Sequence, residues 1–239
     1  MSSESRRLVL HDQAIKYNVR ESTEATRVRI DVGIHAVSVV VPEGADLDPE
    51  ELLQENAEWV LDKRAKFEAY QEMAPDRVFE EGETFPYRGE PHEVVVESRS
   101  ASNVVDGTIR LAAHHVEQTS LEQALERLYR RKAREHIETA VERFAKEMAV
   151  EYDKLEIRNQ RTKWGSCSSS GTLGINWRLV MAPPAILEYV VIHELAHLEE
   201  ANHTDDFWSL VSEQDPDYRE HVKWLEKHSA ELIFTEDDL

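Results

Sequence analysis

The chain has a single cysteine, Cys167, among its 239 residues. A lone thiol cannot close an internal disulfide, and it leaves any cysteine-based metal site without partners. A reducing compartment is therefore expected. Lysine is also scarce: nineteen of the 28 basic residues are Arg and nine are Lys, against 48 acids, for a formal charge of −20. Such an excess of carboxylates repels phosphate backbones, so nucleic acid is not favoured as the main partner without a local basic surface. Dense Asp and Glu with few Lys suit molar salt, where screening removes most self-repulsion, and a halophilic source is expected. No apolar run approaches the roughly 18 residues of a membrane span, and the opening MSSESRRLVLHDQ lacks the apolar stretch of a secretory signal. The expectation is a cytoplasmic protein with no membrane partner. Neither an internal repeat nor a low-complexity linker is visible.

What is present is enough apolar residue, 41%, for one large domain or two small ones. The first hundred or so residues read mostly as strands. AIKYNVRE (14–21), TRVRIDVG (26–33) and HAVSVVVP (35–42) are short and β-branched, with alternation at Val28, Ile30 and Val32. From Asp48 the period changes to that of a helix, with Asp48 as cap, Pro49 in the first turn, and Leu52, Leu53, Val60 and Phe67 as an apolar stripe. FPYRGEPHEVVVE and NVVDGTIRL return to strands, the second turning at Asp106-Gly107. A long helix is expected from Thr119, with Ser120 and Gln123 at capping-box spacing and no Gly or Pro. Its run Arg127 to Arg134 holds five bases, read here as a solvated face paired with nearby carboxylates. The expected organisation is α+β: a strand-rich region over 1–118 and a second region over 119–239, or one integrated domain.

The chemistry concentrates in the second region. IRNQRTKWGSCSSSGTLGINWRLVMAPP reads as a β-hairpin turning at Ser169, Ser170 and Gly171, its second strand alternating Leu173, Ile175, Trp177 and Leu179 with polar or small residues. Gly165 and Gly174 suit a close approach of another backbone. After Pro183-Pro184, AILEYVVIHELAHLEE reads as a buried helix carrying H-E-x-x-H. His193 and His197 are four apart, on one face and close enough to share a tetrahedral Zn²⁺. Glu194 beside them can take the proton of a water that the ion acidifies. A catalytic zinc needs a third protein ligand, and His203 follows six residues after His197. That is metzincin spacing without the metzincin glycine, whose position Glu200 fills. Asn202 as a left-handed cap and Thr204 as the cap of a further helix would still aim His203 at the ion, with Glu213 as the fallback ligand. Tyr218 and His221 are candidates for polarising a carbonyl, His221 being read as exposed. Phe207 and Trp208 are read as core anchors. Cys167 with a nearby His is a rival nucleophile.

In that order, the blocks WGSC, INWRL, YVVIHELAHL and NHTDDFW, followed by DPDYREHVKWL, resemble the YgjP-like metallopeptidases, relatives of the SprT/WSS1 group and, more distantly, of the M48 peptidases. The likeness extends to the strand-rich start and the helix containing Trp59, and with the acidic composition it implies a haloarchaeal member. It implies a zincin-like half with the active-site helix beneath a small antiparallel sheet. One Zn²⁺ would be held by His193, His197 and His203, with Glu194 as general base. By analogy with zincins, the hairpin edge would pair with an extended peptide or unfolded protein. Trp164, Gly165, Asn176 and Arg161 are then the substrate-side candidates. Lys163, where the family often has Arg, and Ile175 before Asn176 depart from its pattern. The alternatives are a metal-dependent hydrolase of a nucleotide pyrophosphate bond, a SprT-like protease recruited to nucleic acid through Arg127 to Arg134, and a binding module that uses zinc structurally.

Overall fold

The computed structural model describes residues 5–22, 25, 27–32, 37–45, 47–160 and 163–235. Thr26, Gly33, His35 and Ala36 of the expected strands, the side chain of Phe67, and Arg161 lie outside the described residues. The chain forms two compact units, one ending at Ala74 and the other beginning at Pro75. The strands that the sequence grouped with the N-terminal region thus divide between the two.

In the first unit, β1 (Ser5–Leu10) and β2 (Gln13–Ser22) form a hairpin on a two-residue turn, His11-Asp12, with φ of 40° and 67°. Paired left-handed residues match the twist of the strands they join. Strands β3 (Arg29–Val32) and β4 (Val37–Pro42) are antiparallel to each other, and β2 and β4 run parallel, giving the order β1-β2-β4-β3. The expected single helix is two, α1 (Pro49–Glu55) and α2 (Ala57–Met73). Asn56 stands at the break, its amide side chain donating to the Leu52 carbonyl at 2.8 Å and so competing with the helical ladder. Asp48 caps α1 as expected. Leu10, Ile15, Tyr17, Val37, Val39, Leu53 and Val60 bury the unit's core.

The second unit opens with the same topology. Strands β5 (Thr84–Tyr87) and β6 (Glu90–Glu97) turn at Arg88-Gly89, and β7 (Asn103–Val105) and β8 (Thr108–Ala112) turn at Asp106-Gly107, all four turn residues left-handed. Strands β6 and β8 run parallel, in the order β5-β6-β8-β7. A short helix and a long one follow here too: α3 (Ala113–Gln118) and α4 (Leu121–Met148). A repeat invisible in the residues is therefore present in the topology, because alternating apolar strands need no common sequence. The Ser120 hydroxyl accepts from the Gln123 amide at 3.1 Å, and Ala149 ends α4 in the left-handed region.

Strand β9 (Lys154–Arg158) then leads to the hairpin of β10 (Gly165–Cys167) and β11 (Thr172–Asn176). This sheet is mixed, correcting the expected antiparallel one. The chain leaves β9 for the far edge as β10 and returns between them, so β11 runs parallel to β9. The second strand also ends earlier than its alternation suggests. Asn176 accepts from the Arg178 amide at 3.2 Å and starts a 3-10 turn over Trp177–Val180. Both faces of Leu173 to Val180 are buried, which removes the polar side that the alternation implied. Trp177 is fully buried, its indole nitrogen donating to Asn159 at 2.6 Å.

Helix α5 (Pro184–Ala196) follows, packed against α4, the small sheet, α6 (Asp205–Gln214) and α7 (Tyr218–His228). It is buried nearly all round, the state of a helix at the centre of a core. The fold is α+β, with the buried helix α5 against a small sheet. No described helix is long and apolar enough to cross a membrane.

Candidate metal centre

His193 lies in the last turn of α5 and His197 is its C-cap. Beyond His197 the amides of Leu198 and Glu199 tighten onto Leu195 and Ala196, and the Glu200 amide closes on Ala196 at 2.9 Å. This bends the chain without glycine. Neither Glu200 nor Asn202 has positive φ, so the expected left-handed cap at Asn202 is not used. Thr204 does cap α6, accepting from the Phe207 amide at 3.3 Å.

The bend brings three imidazoles together. The Nε2 atoms of His193 and His203 are 3.1 Å apart, and one ligand atom from each of His193, His197 and His203 lies within 4.8 Å of the others. Among the described residues this is the one group of three or more metal-capable side chains so placed. Glu213 is not in it. The outer nitrogens are held: His197 Nδ1 donates to the Glu200 carbonyl at 3.0 Å, and the Tyr189 hydroxyl lies 3.4 Å from His193 Nδ1. Fixing Nδ1 in this way leaves Nε2 as the free lone pair, the arrangement typical of metal-binding histidines. Two nitrogens on a tetrahedral ion at about 2.0–2.1 Å stand roughly 3.3 Å apart. The donor set therefore fits a divalent ion of the zinc type. Burial, with His197 and His203 alongside, pushes the His193 pKa down to about 4, so its ring is neutral and ready to bind.

Phe207 and Trp208 take a part that the sequence reading gave only to the core. The Phe207 ring packs 5.0, 4.6 and 4.8 Å from His193, His197 and His203, and Trp208 backs His193 and His203 at 5.9 and 5.7 Å. Their signal was present in the sequence, four and five residues beyond His203. Tyr218 stacks on Trp208 at 5.2 Å. His221, expected to be exposed, is largely covered and bonds Asp215 at 2.7 Å.

Glu194 is buried on the same helix, and burial pushes its pKa up to about 7, with Lys163 pulling the other way. Gly165 makes room for it: a Cβ there would stand 2.3 Å from Glu194 Oε1. The close approach at Gly165 is thus by a side chain and not by the backbone that was expected. At Gly174 a Cβ would meet the Ser166 hydroxyl at 2.7 Å. Asn176 is a buried clamp, donating to the carbonyls of Gln160 at 2.7 Å and Lys163 at 3.1 Å, so its amide is turned inward. Trp164 is half-buried and donates to the Ser229 hydroxyl at 3.1 Å. Burial and the nearby Glu194 push the Cys167 thiol up, which disfavours the thiolate that a nucleophile needs.

The profile of the YgjP-like metallopeptidase domain matches residues 26–228, well over half of the chain. The chain belongs to the YgjP-like metallopeptidase family. Among solved structures, this YgjP-like chain is similar to the metallopeptidase zymogen of Pyrococcus abyssi abylysin, at 22% identity and TM-score 0.36, over 41% of this chain and 99% of that one. A second similarity is to the metallopeptidase zymogen of Methanocaldococcus jannaschii jannalysin, at 24% identity and TM-score 0.35, over 38% and 95%. No curated protein matches. For the YgjP-like chain, membership means a metal-dependent peptidase, and His193, His197 and His203 are where such an ion fits.

Proposed function

We propose that this chain is a zinc peptidase that cleaves unfolded polypeptide, with one ion held by His193, His197 and His203 and with Glu194 as general base. The observation that carries this reading is the convergence of three imidazole nitrogens, with the buried Glu194 next to His193 in the chain. An ion held there would acidify a water and polarise a peptide carbonyl. Glu194 takes up a proton and passes it to the leaving amine. Its raised pKa suits both halves of that exchange near neutral pH. Strand β10 is an edge of its sheet, and its Gly165 lies against Glu194, so an extended peptide added to that edge would run past the carboxylate.

Peptide is favoured over nucleic acid as substrate or docking partner because three of the five bases in the run on α4 are already paired. Arg130, Lys132 and Arg134 meet Glu126, Glu135 and Glu138 at 2.6, 2.8 and 3.1 Å. The test is hydrolysis of an unfolded protein by the zinc-loaded chain in high KCl, beside Glu194→Gln. Loss of general-base help predicts a drop of about 10²–10⁴ with the ion retained. Equal cleavage by parent and variant would sink the assignment.

A further inference from the structure

The same unit holds a cavity of about 270 Å³ lined by α4, the first two turns of α5 and the β5–β6 turn. It is distinct from the metal centre. None of the three histidines lines it, and its lining on α5 ends at Glu188, five residues before His193 or about 7.5 Å at 1.5 Å per residue. Its rim carries two exposed arginines from different elements, Arg88 from the β5–β6 turn and Arg143 from α4, and its lining includes His136 and Thr139.

Arg88 is fixed at its base, where its backbone amide donates to the Val180 carbonyl at 2.8 Å. Its side chain donates to His136 Nδ1 at 3.1 Å, which puts the ring proton on Nε2, facing the Tyr87 hydroxyl at 2.7 Å. Burial, Arg88 and Lys132 lower the His136 pKa, so the ring serves Arg88 as a neutral rest. A guanidinium has five N–H donors, and no carboxylate pairs with Arg88 among the described residues. Arg143 lies over the Phe144 ring at 3.9 Å and reaches Glu188 at 2.9 Å. Two cations against one carboxylate leave the cavity positive within a chain of charge −20. Leu187, Ala140 and Pro184 make the remaining wall apolar.

Donors supplied by two separate elements suit a tetrahedral oxyanion, which presents oxygens on several sides, better than a planar carboxylate. The cavity is near the small end of ligand sites and larger than a bare phosphate, which has five heavy atoms. We propose that this cavity binds a small phosphate monoester, its oxyanion held by Arg88 and Arg143 and its organic body covering Leu187 and Pro184. The inference is independent of the peptidase reading.

Calorimetric titration of the intact, zinc-loaded chain at fixed ionic strength tests it, with inorganic phosphate and glycerol 3-phosphate as probes. Saturable binding is expected, with the ester several-fold tighter than phosphate. Arg88→Asn, a residue that tolerates the left-handed turn, and Arg143→Gln should each weaken both probes at least tenfold. Melting midpoints measured without ligand should match the parent, showing that both variants are folded. Phosphate bound no more weakly by either variant would place it on the metal or on the general surface and overturn the proposal. Absence of saturable binding to the parent would overturn it equally.

Discussion

The turn His11-Asp12 between β1 and β2 and the turn Arg88-Gly89 between β5 and β6 share a length and a left-handed backbone, yet their surroundings differ. His11 and Asp12 are exposed, and Val9 beside them is 57% exposed. The amides of Arg88 and Gly89 donate to Val180 and Met181 at 2.8 and 2.9 Å, directly ahead of the helix that carries His193. The following helices diverge in the same way. Helix α2 leaves Trp59 45% exposed, whereas the 28-residue α4 buries a long stripe against its own sheet and against α5. One topology thus makes a small self-contained unit in the first case and the scaffold of the three-histidine cluster in the second. The difference lies in helix length and in what the hairpin turn packs against, and strand order does not reveal it.

Truncating the two cores should separate these roles most sharply. Leu53→Ala and Leu125→Ala each remove a fully buried leucine, at a cost of about 2–5 kcal/mol. Because the two belong to separate hydrophobic clusters, Leu53→Ala should speed amide exchange within residues 5–73 and leave zinc affinity unchanged. Leu125→Ala should speed exchange in α4 and α5 and weaken zinc. Equal effects of both on zinc affinity would remove the distinction between the units.

A smaller effect is expected at the turns. Gly89 has φ of +83°, and a Cβ there would stand 2.8 Å from Pro183, so Gly89→Ala should lower stability by about 1–3 kcal/mol through backbone strain and the clash. Asp12 already carries a Cβ in an exposed turn, and Asp12→Ala should cost under about 1 kcal/mol. Denaturant melts of the pair check this ordering.

The smallest effect concerns pH. The folded pKa of His136 is depressed below the ordinary 6.5, by burial and then by Arg88 and Lys132, with Glu135 opposing. The unfolded chain therefore takes up this proton first, so the residue's contribution is intact above pH 6.5 and declines as pH falls below it. His136→Gln should flatten that part of the stability profile. An unchanged slope would show that other groups set it.

The three-histidine cluster was legible because H-E-x-x-H and a histidine six residues on are local patterns, and a helix plus one bend is enough to unite them. The bend itself was misread: tightened helical hydrogen bonds replace the left-handed residue that was expected at Asn202. Asn176 was legible as important but not in its role, since only the fold shows that its amide spans Gln160 and Lys163. The parallel pairings β2 with β4, β6 with β8, and β9 with β11 could not be read, because strand alternation carries no information about direction. The same limit hid the repeated topology.

The proposed zinc site needs His203, brought round by a glycine-free bend, to complete it with His193 and His197. Metal content and zinc affinity of the parent and of His203→Ala, measured by elemental analysis and competition with a chromophoric chelator, test it most directly. One tightly held ion per chain in the parent and affinity at least a hundredfold weaker in the variant is the predicted result. Equal stoichiometry and affinity in both would contradict it and leave His203 without a place at the metal.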